Sequence, residues 1–160
     1  MEARRAACAG MGGYGRRVTA TADPSHERPD GLDDTTVAAV GKLTEALEWV
    51  ERARGRLYDF HQMIGHADSM LDEAAGLLDD AGHHEMADRV RTDAIGRNVL
   101  EGRWTFQIIE EFDDGYYRCL RAVEQAARDE LTDGKQHIFE SELKDRRRTP
   151  GLRGHERRPH

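Results

Sequence analysis

Lysine is nearly missing from this chain of 160 residues: Lys42, Lys135 and Lys144 are the only three among 24 basic groups. That bias is the mark of a GC-rich coding sequence, and it lowers the weight of any single arginine. Cysteine is scarcer still. Cys8 and Cys119 form no Cys-x-x-Cys, which excludes a disulfide framework and a thiolate zinc site and makes a reducing, cytoplasmic setting the expectation. Aromatic residues are 6% of the chain. No run approaches the roughly 18 consecutive apolar residues of a membrane span, so no transmembrane segment is expected. Basic charge is also lacking where a nucleic-acid-binding core would need it. Residues 33–142 carry 12 basic and 25 acidic groups, a balance of 12 − 25 = −13 against −7 for the whole chain, and phosphate contacts require clustered Lys and Arg.

What is present is helical periodicity over one domain's length. Residues 1–32, rich in Ala, Gly and Arg and then broken by Pro24, Pro29 and Gly31, read as a disordered leader. The spelling Gly10-x-Gly12-x-x-Gly15 carries nothing without a preceding strand. Asp33-Asp34-Thr35-Thr36 are helix-starting residue types. From there Val40, Leu43, Leu47, Val50, Leu57, Ile64, Leu71, Ala75 and Leu78 predict one helix to about Ala81, or two broken near Gly65, with Gly82 as the stop. Further helices are expected over 83–97, 104–131 and 135–148. Their buried faces should use Ala87 and Val90; Trp104, Ile109, Phe112, Tyr116, Leu120 and Val123; and Ile138, Phe139 and Leu143. The fold class is therefore all-α, a bundle of four to five helices over 33–148, followed by a flexible basic tail over 149–160.

The apolar stripe of the first helix is interrupted by Arg54, His61 and Asp68, each seven residues from the next. On a continuous helix all three share the face to be buried, and buried charge needs a partner. An antiparallel pairing of two copies about His61 supplies one, setting Arg54 against Asp68 of the mate. The competing arrangement is intrachain: a break near Gly65 folds the two halves together, or the 104–131 helix covers the stripe, and His61 with its neighbours then lines an internal pocket. Arg103, Gln107 and Tyr117, in the stretch densest in aromatic and hydrogen-bonding groups, are candidate contact residues for an interface or ligand.

Carboxylates crowd Glu110-Glu111-Phe112-Asp113-Asp114, and intrahelical neutralisation by Arg118 and Arg121 is the plain explanation. Glu110 and Asp114, with His61, are the candidate metal ligands, although no Glu-x-x-His occurs. Glu45-x-x-Glu48 and Glu111-x-x-Asp114 each place two carboxylates one turn apart. This pairing resembles the all-α nucleoside triphosphate pyrophosphohydrolases of the MazG type. The resemblance implies a Mg²⁺-dependent hydrolase of a phosphate ester or nucleotide, with Glu45, Glu48, Glu111 and Asp114 as its catalytic carboxylates. The stretch Gly96-Arg97-Asn98-Val99-Leu100-Glu101-Gly102-Arg103-Trp104-Thr105-Phe106-Gln107, continuing into 110–117, is similar to small helical proteins from actinobacteria with no assigned activity. The leading expectation is a helical interaction or assembly module that self-associates through the 36–81 seam, as a homo-oligomer or with a protein partner, without a cofactor. The magnesium hydrolase and a ligand- or metal-binding regulatory bundle are the alternatives.

Overall fold

The computed structural model describes residues 24–158, and its start is governed by Asp33. That carboxylate accepts from the Thr36 amide at 2.9 Å and the Thr36 hydroxyl at 2.7 Å, satisfying an amide that has no partner within the helix. Helix α1 then runs unbroken from Asp34 to Asp80, roughly 70 Å at 1.5 Å per residue. There is no break at Gly65. At the far end Gly82 takes φ +80°, and the His83 amide reaches the Leu78 carbonyl at 2.8 Å, a left-handed stop that glycine adopts without strain.

The remaining helices are α2 (His84–Asp93), α3 (Thr105–Phe112), α4 (Arg118–Leu131) and α5 (Ile138–Arg147). Among the described residues there is no strand, only the isolated Leu100–Arg103 bridge, and no helix is long and apolar enough to cross a membrane. The protein is all-α, with α1 as its spine. Helix α2 folds back along the C-terminal end of α1, where Ala75 and Ala87 are completely buried. Helices α3 and α4 run antiparallel to the middle of α1, and α5 covers its start, where Val37, Val40 and Ile138 are buried.

Between α3 and α4 the helix does not stop. Asp113–Tyr117 forms a π-helical turn, which accommodates one extra residue without breaking the rod. Inward positions on either side of Leu120 are moved one residue along, from Tyr116 to Tyr117 and from Val123 to Glu124. The face expected from an uninterrupted α period, Tyr116 and Val123, is turned outward, 61% and 52% exposed. Tyr117, Glu124 and Arg128 point inward instead, while Leu120 stays inward as expected. Trp104, also expected in the core, is exposed, as is Phe139 in α5.

The turn therefore buries an ion pair. Glu124 is 3% exposed. It accepts from Arg128 Nε at 2.7 Å and from the Thr44 hydroxyl at 2.9 Å, and Arg128 also donates to Gln125 Oε1 at 2.6 Å.

Both ends of the domain reach further than the sequence implies. Residues 24–32, expected in the leader, pack onto the C-terminal helix. Arg28 makes two bonds to Glu142 at 2.6 and 2.9 Å and one to Asp34 at 2.7 Å; Lys135 donates to the Glu27 carbonyl at 2.9 Å. The remaining leader residues, 1–23, lie outside the described residues. The basic tail turns back at Thr149, whose amide donates to His155 Nδ1 at 3.0 Å, and Arg157 meets Asp145 at 2.7 Å.

Two predictions follow from this packing. A Cβ built on Gly55 or Gly76 meets nothing within 4 Å, so Gly55→Ala and Gly76→Ala should each stabilise the chain by about 1 kcal/mol in urea unfolding. Arg128→Met should cost roughly 3–5 kcal/mol, because it strands a buried carboxylate. Changing Glu124→Leu in the same chain should recover most of that loss.

Candidate functional site

The three polar interruptions of the α1 stripe each find a partner inside the chain. Arg54 grips Asp113 with two bonds, Nε to Oδ1 at 2.6 Å and Nη2 to Oδ2 at 2.7 Å. One helical register along, His61 Nδ1 lies 2.7 Å from the Thr105 hydroxyl. Further on, Asp68 Oδ1 accepts the Gly96 amide at 2.9 Å, just where Gly96 turns with φ +68°. The spacing of seven puts all three on the covered face, and the loop before α3, α3 itself and the π turn after it supply the partners. The pairing of Arg54 with Asp68 of a second copy is thus replaced by an intrachain arrangement, for the physical reason that both groups are already hydrogen-bonded.

Around Arg54 the contacts are dense. Its guanidinium lies 5.1 Å from the Tyr58 ring centre and 5.0 Å from that of Tyr117, a sandwich in which ring faces attract the cation. Tyr117 donates its hydroxyl to Glu51, stacks on Phe112 and carries Arg121 over its ring. The bonds to Arg54 hold the Asp113 carboxyl below the usual carboxylate range, and the same bonds raise Arg54. The Glu51 carboxylate, helped by burial, pushes the Tyr117 phenol up. Asp113 and Tyr117 bracket the π turn, which is what brings both onto α1.

Near His61, α1 and the segment 96–106 leave a mostly apolar cleft of ≈ 270 Å³, bordered by Ile64, Asp68, Val99, Trp104 and Phe106. It is an open cleft beside His61, with Trp104 and Phe106 exposed at its edge, not the enclosed internal pocket of the intrachain expectation.

The carboxylate candidates are not gathered. Glu45 is paired with Lys42, Glu111 with Arg103, and Asp114 lies 3.8 Å from Arg118; Glu48 and Glu110 are exposed. Among the described residues no group of three or more His, Cys, Asp and Glu stands close enough to hold a metal ion, so neither the two-pair magnesium site nor the His61, Glu110 and Asp114 set is assembled. Of the candidate contact residues, Arg103 is tied to Glu111 and Tyr117 to Glu51. Gln107 caps α3 by accepting the Trp104 amide at 2.8 Å.

One surface lies outside all of these expectations. Trp49, Met63, Met70 and Leu77 are each more than half exposed. They lie on α1 at multiples of seven, one residue before Val50, Ile64, Leu71 and Leu78 of the covered stripe. The second stripe is thus turned about 100° from the first. Its repeat was legible in the sequence, but a spacing alone does not say which of two neighbouring stripes the chain covers.

Asp113 is more acidic folded than unfolded, so its pairing adds stability above about pH 3.9, the unfolded value. That stability is lost as pH falls through the lower folded value. The melting-temperature gap between the wild type and Arg54→Met should therefore be widest near neutrality and shrink below about pH 4. A gap constant with pH would show that the pair contributes no linked stability. Comparison with protein-family models, curated proteins and solved structures finds no match for this chain.

Proposed function

We propose that the protein is a helical assembly module that self-associates through the open face of α1. The observation that carries this reading is the exposed stripe of Trp49, Met63, Met70 and Leu77 along a helix whose other stripe is occupied by the chain's own α2, α3 and α4. Burying a side chain of this size is worth about 1.5–3 kcal/mol relative to leaving it in water, and large contiguous apolar patches mark interaction surfaces. The face differs from the 36–81 seam read in the sequence by one residue of helical phase. The half-buried polar ladder fits the same reading, because its hydrogen-bonded groups set register. A hydrolase finds no support in the placement of Glu45, Glu48, Glu111 and Asp114, which are separately engaged or exposed.

Sedimentation velocity at micromolar concentration should give a species of twice 18.1 kDa. The double variant Met63→Glu/Met70→Glu should sediment as a single chain while keeping its helical circular dichroism, with association weakened at least tenfold. A wild-type protein that sediments as a monomer overturns the reading.

A further inference from the structure

The open stripe has an internal pattern that selects one partner and one orientation. Its positions alternate by three and four residues, and they sort by size. One set, seven apart, is Ala46, Ala53, Phe60, Ala67 and Ala74; the other is Trp49, Arg56, Met63, Met70 and Leu77. Four of the five members of the first set are alanine, and all five of the second are large. A partner helix carrying the same stripe in the same direction would stack Trp49 on Trp49 and Arg56 on Arg56, while leaving alanine opposite alanine in alternate layers. Overfull and empty layers are both costly.

Reversing the partner removes the conflict. We infer that α1 pairs with α1 of a second copy in antiparallel orientation, about a two-fold axis between His61 and Gln62. This inference rests on the self-association proposed above and specifies its geometry. In this register residue i faces residue 123 − i. Leu77 then meets Ala46 of the second copy, Trp49 meets Ala74, Met70 meets Ala53 and Arg56 meets Ala67, with Phe60 against Met63 at the centre. Every large side chain outside the central pair faces an alanine, the alternation that lets helices interdigitate. Arg56 lays its stem over Ala67 and keeps its head at the rim, where it already bonds Asp59 at 2.8 Å.

The charges flanking the stripe agree with the register. The flank formed by the residue before each position of the first set reads Glu45, Arg52, Asp59, His66 and Glu73. Glu45, at the end of the contact, falls near Asp80 of the second copy, and the central four are the ones that select the register. Antiparallel pairing brings Arg52 beside Glu73 of the second copy and Asp59 beside His66, each twice by symmetry. A shift of one heptad, with i facing 130 − i, would set Asp59 against Glu73 instead. The contact from Ala46 to Leu77 is about 47 Å long and 10–12 Å wide, so the pair buries roughly 1,000 Å² in total, the lower limit for a specific interface. Because the two stripes differ by about 100°, the second copy lies beside α3 and α4 rather than displacing them.

Spin-label distance measurements decide the geometry. The full chain, with Cys8→Ser and Cys119→Ser, is labelled at Glu48→Cys or at Gln62→Cys, both exposed and off the stripe. In the inferred dimer the two Glu48 sites are separated along the axis by 27 residues, about 40 Å at 1.5 Å per residue, and the two Gln62 sites by about 1.5 Å. A long distance at 48 with a short one at 62 supports the inference. Short distances at both positions would establish a parallel dimer, and about 50 Å at 48 would establish the shifted register; either overturns the inference while leaving self-association standing. Loss of any intermolecular distance, together with a single-chain sedimentation coefficient, overturns both.

Discussion

Charge placed on the covered face of a long helix must be paired, and that requirement organises this molecule. Arg54, His61 and Asp68 stand seven residues apart on α1, and each is answered from the opposing strand of chain, by Asp113, Thr105 and Gly96. Each pair of interacting residues sums to nearly the same number, from 164 to 167, as two antiparallel rods in fixed register require. Apolar contacts tolerate sliding by a turn; hydrogen-bonded charges do not. The polar ladder therefore fixes how α3 and α4 lie on α1.

The π turn at Asp113–Tyr117 is the second determinant. Without it, Asp113 and the residues of α4 would belong to different faces, and α4 would present Tyr116 and Val123 to the spine. With it, Tyr117 and Glu124 turn inward, and α4 closes on α1 through the Glu124–Arg128 pair and Thr44. A single extra residue in the turn thus exchanges an apolar contact face for a polar one. The interior is correspondingly small. The buried apolar residues among those described are Val37, Val40, Ala75, Ala87, Ile109 and Ile138, spread along a spine of roughly 70 Å.

A spine that long cannot be covered on all sides by partners as short as α2 to α5. One stripe of α1 is satisfied within the chain, and its neighbour, about 100° around, is left bearing tryptophan, methionine and leucine. Under the proposed self-association a second copy would complete the burial that the fold begins, so the proposal and the architecture share one cause.

Much of the fold was legible in the sequence, because it depends on local chemistry. The Asp33 cap, the three-and-four spacing to Leu78 and the Gly82 stop specify α1 through contacts within a few residues. The seven-residue spacing of Arg54, His61 and Asp68 declared that partners must exist. The second stripe was equally present in the spelling. Tertiary structure alone decided who the partners are, since Asp113, Thr105 and Gly96 lie from 28 to 59 residues away. It also decided the phase of α4, because a π turn changes the helical period without leaving a distinctive residue pattern. And it decided which stripe of α1 stays open, because periodicity marks the faces a helix can bury, while only packing selects the one it does.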